Sequence, residues 1–182
     1  MLLPPIPSWD AAHPLVVHFP IALLFVAPLF VVAGLVLRDR GRPFLLSALA
    51  LLVLGTAGAF VAVATGEAGE GAAEAVPAAE ATLERHEELA EQARNAFAAL
   101  TILYAVVLFG PALLKRTPGR TATTVALSAF LALDVAGLAL LANAAHYGGQ
   151  LVHAQGVRAS AAAPAGAEGP GGTAAAGRGG DH

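Results

Sequence analysis

The sequence predicts an all-α integral membrane protein built as a bundle of four membrane-spanning helices. Three observations carry this. Hydrophobic residues make up 57% of the 182-residue chain and charged residues only 13%, against roughly 45–50% and about 25% in soluble domains. The excess is gathered into four apolar runs, each long enough to cross a hydrocarbon core of roughly 30 Å. Two short basic loops, RDRGRP and KRTPGR, separate the first run from the second and the third from the fourth. The length suits one domain.

The first run extends from Pro14 to Leu37, with Pro14 suited to a first helical turn. Met1 to Ala12 carries Pro4, Pro5 and Pro7, no basic residue and no cleavage-site pattern, so this run is expected to stay as an anchor. Pro20 and Pro28 lie within it, and a kink is expected. Arg38, Arg40 and Arg42 end it. The second helix is expected over 44–64, the third over 78–114 and the fourth over 121–146. With both basic loops in the cytoplasm, both termini and the 65–95 connection lie outside.

That connection holds eight glutamates against Arg85 and Arg94. Its first part, GEAGEGAAEAVP, reads as a flexible loop. From Ala78 the spacing turns helical, with Leu83, His86, Ala90, Ala93, Phe97 and Leu100 on one stripe. The third helix therefore begins outside the membrane and runs into it. His86 occupies a place on that stripe where leucine is expected, and a histidine there needs a hydrogen-bond partner or a ligand. Gly148 and Gly149 are expected to break or bend the fourth helix. The four-helix domain is thus residues 1–157. Residues 158–182, rich in Ala and Gly without periodicity, read as a disordered tail.

Counting from the cytoplasmic basic residues at 1.5 Å per residue puts His18 about 30 Å up, His13 about 37 Å, His146 about 39 Å and His86 about 43 Å. Four histidines from three helices thus share the outer interfacial layer, with His153 close by. Histidine suits an interface for bland reasons, since one end is polar; the placement of His86 on a packing stripe argues for more. Asp134 lies about 21 Å up, near mid-membrane. An intramembrane carboxyl is a functional hypothesis by default, or else a bonded or protonated group that joins helices. Thr56 and Thr101 have similar depths and could bond to it.

HPLVVHFPIALL at the first helix, ATG near the end of the second, a histidine before the third and GGQLVHAQG after the fourth together resemble the bacterial membrane family called domain of unknown function 2231. The resemblance covers about residues 10 to 157. It implies a four-helix inner-membrane protein; some members carry Rieske or cytochrome c modules, which implies a link to electron transfer. It supports His13, His18 and His86, with Gly148, Gly149, Leu151 and Val152. The chain departs from the pattern at His153, where a tyrosine is expected, and at Gln155, often a histidine.

Neutral imidazoles on neighbouring helices are good ligands for b-type haem, and a four-helix bundle supplies an apolar slot. The chain has no cysteine, so covalent CxxCH attachment and thiolate metal sites within it are excluded. His18 and His86 are the favoured pair, with His13 and His146 as alternatives; His13 and His18 project roughly 140° apart on a straight helix. A transition-metal ion held by imidazoles with Glu67, Glu84 or Glu87 is the second reading. The third is a scaffold subunit without catalysis. A net charge of −3 argues against nucleic acid.

Overall fold

In a computed structural model the described residues run from 8 to 157. They form α1 (His13–Val16), α2 (His18–Leu37), α3 (Arg42–Gly69), α4 (Gly71–Glu74), α5 (Glu80–Leu113) and α6 (Arg120–His153), with short 3-10 turns between some of them. The tail at 158–182 lies outside the described residues. Four helical segments, His13–Arg40, Arg42–Gly69, Pro77–Leu113 and Arg120–His153, are long and apolar enough to cross a membrane.

The first spanning helix is interrupted at Val17, and Pro20 explains where. A proline lacks the N–H that would bond to the carbonyl of Val16, and its ring crowds that carbonyl. The regular turn α1 therefore stops at Val16 and α2 restarts at His18. Pro28 is taken up inside α2 without a break. Arg38, at φ 55°, turns the chain sharply into α3.

Two expectations fail, both in glycine-rich stretches. The helix α3 continues through Gly66 to Gly69, and α4 follows, so most of GEAGEGAAEAVP is helical rather than loop. The helix α6 likewise runs through Gly148 and Gly149 to His153. Glycine costs a helix only about 1 kcal/mol against alanine, and packing against the neighbouring helices overrides that preference.

α2 lies along α3 and α5 along α6, forming two hairpins; α3 also meets α5 and α2 meets α6, which closes the ring. The core at mid-bundle consists of Leu24, Val31, Leu52, Phe97, Leu100, Tyr104, Leu127 and Phe130. Tyr104 packs its ring 4.6 Å from that of Phe130 and donates its hydroxyl to Leu45 O at 3.2 Å. The outer faces are apolar as well, with Leu29, Val36, Leu54, Ile102, Val106 and Val135 exposed. Apolar surface on that scale is the mark of a lipid-facing protein.

Candidate functional site

At the end of the bundle away from the basic loops, the four long helices enclose a cavity of about 530 Å³. Pro20, Ile21, Leu24, Ala59, Phe97 and Leu141 line its lower part, while Glu67, Glu70, Glu84 and Glu87 stand toward the chain between α3 and α5. Two histidines reach into it. His13, on α1, donates Nδ1–H to Ala62 O on α3 at 2.8 Å, and Thr65 Oγ1 lies 3.4 Å from the same nitrogen. His86, on α5, donates Nδ1–H to Ala144 O on α6 at 2.8 Å. The two rings have centroids 6.3 Å apart and are nearly perpendicular, at 81°.

A carbonyl can only accept, so each imidazole carries a proton on Nδ1, and in the neutral ring the Nε2 lone pair is then the free one. Fixing one ring nitrogen against a backbone carbonyl is how proteins orient an imidazole as a metal ligand. A neutral imidazole held in this way can offer its Nε2 electron pair to a metal centre.

The electrostatics agree. No apolar window in α5 reaches back across Glu87, Glu88, Glu91 and Arg94, so His86 and Glu87 stand beyond the membrane-spanning part of the helix. Burial lowers the His86 pKa below its ordinary value and His13 adds to the fall, against the opposing pull of the Ala144 carbonyl. Burial raises the Glu87 pKa, and Glu70, Glu74 and Glu67 add to the rise. One oxygen of Glu87 is buried without a partner.

The other histidines lie elsewhere. His18 is exposed and folds its Nδ1–H back to Pro14 O at 2.9 Å, across the interruption at Val17. The roughly 140° between His13 and His18 therefore separates them into one inward and one outward ring. His146 is exposed and accepts from the Gln150 amide at 2.9 Å, beside Tyr147. His153, the last residue of α6, is exposed. The structure thus brings His86 together with His13 and leaves His18, His146 and His153 outside the cavity. Glu67, Glu84 and Glu87 line it, yet among the described residues no three His, Asp or Glu side chains gather closely enough to hold a metal ion.

Asp134 is 0% exposed, and neither of its oxygens has a partner. Thr56 and Thr101 do not reach it. They bond to each other at 2.8 Å across α3 and α5, and Thr101 also donates to Leu52 O at 3.5 Å. Each threonine satisfies itself on the nearer helix pair, so Asp134 joins nothing by hydrogen bonding.

Reading the residues one at a time misses Ala62, Gly66 and Ala144, which work through backbone and through the lack of a side chain. The signal was present as Ala-x-x-x-Gly at 62–66 and again at 144–148. No curated protein and no solved structure matches the chain. A family model does, over residues 10–161, from the start of the first spanning helix to beyond the last, and both cavity histidines fall inside that match. The chain is a member of the DUF2231 family of predicted membrane proteins.

Proposed function

We propose that this membrane protein is an electron-transfer subunit that holds a b-type haem between His13 and His86 at its outer face. The observation that carries the reading is the pair of imidazoles from different hairpins, each with Nδ1 tied to a carbonyl and Nε2 free. His13 and His86, on facing hairpins, would hold the haem iron through their Nε2 atoms. Their ring centroids are 6.3 Å apart. The cavity falls within the range of about 300–1,000 Å³ usual for cofactor sites, and its lower wall is apolar. His13 takes the place that spacing alone assigned to His18.

A bound haem would supply one-electron chemistry. The chain's own residues do the rest: His13 and His86 orient and ligate, and Leu24, Phe97 and Leu141 keep water from the lower wall. In this reading the basic loops face the bacterial cytoplasm, the termini lie outside, and a Rieske or cytochrome c type protein meets the outer rim.

The test is the visible spectrum of the purified protein, oxidised and then reduced, with His13→Ala, His86→Ala and His18→Ala. A Soret band with a sharp reduced α-band, lost in the first two variants and kept in the third, is the expected result. A colourless protein from haem-replete cells overturns the reading. Metal analysis of that colourless sample then separates a bare ion, for which Glu67, Glu84 and Glu87 stand nearest, from a scaffold.

A further inference from the structure

We infer that Gly66 and Gly148 are positioning residues of the histidine site, the two gaps that let each imidazole dock on a helix carbonyl. For its ligand-affinity readout this inference rests on the haem reading; for its tautomer readout it does not.

Within an α-helix the carbonyl of residue i already accepts the N–H of residue i+4. Its second lone pair is open to an outside donor only if the side chain at i+4 does not stand in the way. Both histidines use a carbonyl four residues before a glycine. His13 binds Ala62 O beside Gly66, where the Thr65 hydroxyl can also donate at 2.9 Å, and His86 binds Ala144 O beside Gly148. A Cβ placed on Gly148 would lie 2.9 Å from His86 Cε1, 3.2 Å from its Nδ1 and 3.6 Å from its Nε2. Contacts below 3.0 Å are essentially never made by real Cβ atoms, so the ring must shift, and the shift works against the 2.8 Å hydrogen bond that tethers it. A Cβ on Gly66 would lie 3.4 Å from both Cε1 and Nδ1 of His13, at the edge of ordinary contact. Gly149, next along α6, would meet nothing within 4 Å.

The arrangement occurs once in each hairpin. The first helix carries the histidine, and the second carries Ala-x-x-x-Gly to receive it. The site is therefore assembled from two corresponding halves, with ring planes nearly perpendicular. Glycine weakens a helix interior relative to alanine, and at positions 66 and 148 the contact with a docked ring gives that weakness a use. Docking fixes the Nδ1–H tautomer and leaves both Nε2 atoms as ligands. Loss of such an orienting partner typically weakens metal affinity about 10–100-fold.

The experiment compares the full chain with Gly148→Ala, Gly66→Ala and Gly149→Ala in lipid nanodiscs, by ¹⁵N NMR of labelled histidine and by titration with haem b. In the unaltered chain and in Gly149→Ala, His86 shows a single neutral form protonated at Nδ1. In Gly148→Ala that form gives way to a mixture, and haem binds about 10–100-fold more weakly. Gly66→Ala shifts His13 in the same direction by less. If Gly148→Ala matches Gly149→Ala in both readouts, or both shift His86 equally, the inference fails. If the unaltered chain takes no haem while Gly148→Ala still alters the tautomer, the positioning role stands and the haem reading falls. Should Gly148→Ala not fold, His86→Ala/Gly148→Ala removes the ring that the new methyl meets. Recovery of folding supports the inference, and failure to recover overturns it.

Discussion

Asp134 and Glu87 are both carboxyls that lack a full set of partners, and they differ in where that matters. Asp134 sits at mid-bundle with neither oxygen bonded. A buried polar group left unbonded costs about 1–3 kcal/mol, whereas an apolar group of similar shape does not. Asp134→Val is therefore expected to raise stability by about 1 kcal/mol in thermal unfolding, and Asp134→Asn to give no gain, since its amide is equally unbonded. A loss of stability in the valine variant would mean that the carboxyl has a partner. Glu87 lies at the outer rim, where burial and then Glu70 raise its pKa above the ordinary 4.5. Its protonated form is the one the fold favours, so its contribution is present below pH 4.5 and is lost as pH rises through the raised value. Glu87→Gln should accordingly melt higher than the unaltered chain at pH 7, with the difference closing near pH 4. Equal melting at both pH values would show that Glu87 is freely solvated.

Among the elements, the hairpin of α2 and α3 depends on close approach, and the contact between α3 and α5 on hydroxyls. A Cβ on Gly55 would lie 2.8 Å from both Cγ and Cδ2 of Leu24, a fully buried side chain. Small residues at such contacts let helix backbones come together in a membrane. Gly55→Ala is expected to cost about 1–3 kcal/mol through overpacking, read as a lower melting temperature. The bond between Thr56 and Thr101 joins α3 to α5 directly below the cavity floor at Phe97, whose carbonyl lies 3.4 Å from Thr56 Oγ1. Thr56→Val is expected to destabilise by about 0.6 kcal/mol, the average for interhelical hydrogen bonds in membranes. A double-mutant cycle with Thr101→Val checks this, since full additivity would show that the two hydroxyls do not interact.

The whole molecule is polarised end to end. Arg38, Arg40, Arg42, Lys115, Arg116 and Arg120 lie exposed at one end, and the cavity with its glutamates lies at the other. In the orientation proposed above from the positive-inside rule, the cavity faces outside. The chain has no cysteine of its own, which makes the orientation directly measurable. A membrane-impermeant maleimide should label Glu80→Cys in intact cells and Gly119→Cys only after lysis. The reverse pattern would place the histidine site in the cytoplasm, away from any periplasmic redox partner.

Membership of the membrane class and the four spans were legible in the sequence because hydrocarbon imposes a length and a composition on any helix that crosses it. The extension of the third helix was legible too, since the stripe through Leu83, His86 and Phe97 keeps helical spacing. So was the placing of His13 and His86 at the end away from the basic loops, because depth along a straight helix is a count of residues. Which histidines meet was not. His13 and His18 differ by rotation about the axis, and only the packing of α1 against α3 turns one inward. The carbonyls of Ala62 and Ala144 were invisible for another reason: every residue has a carbonyl, and tertiary contact alone selects those that accept an outside donor. Gly148 and Gly149 look alike in the sequence and read as a helix break. The bundle keeps both in helix and distinguishes them by one neighbour, the ring of His86, which a Cβ at 148 would meet and one at 149 would not.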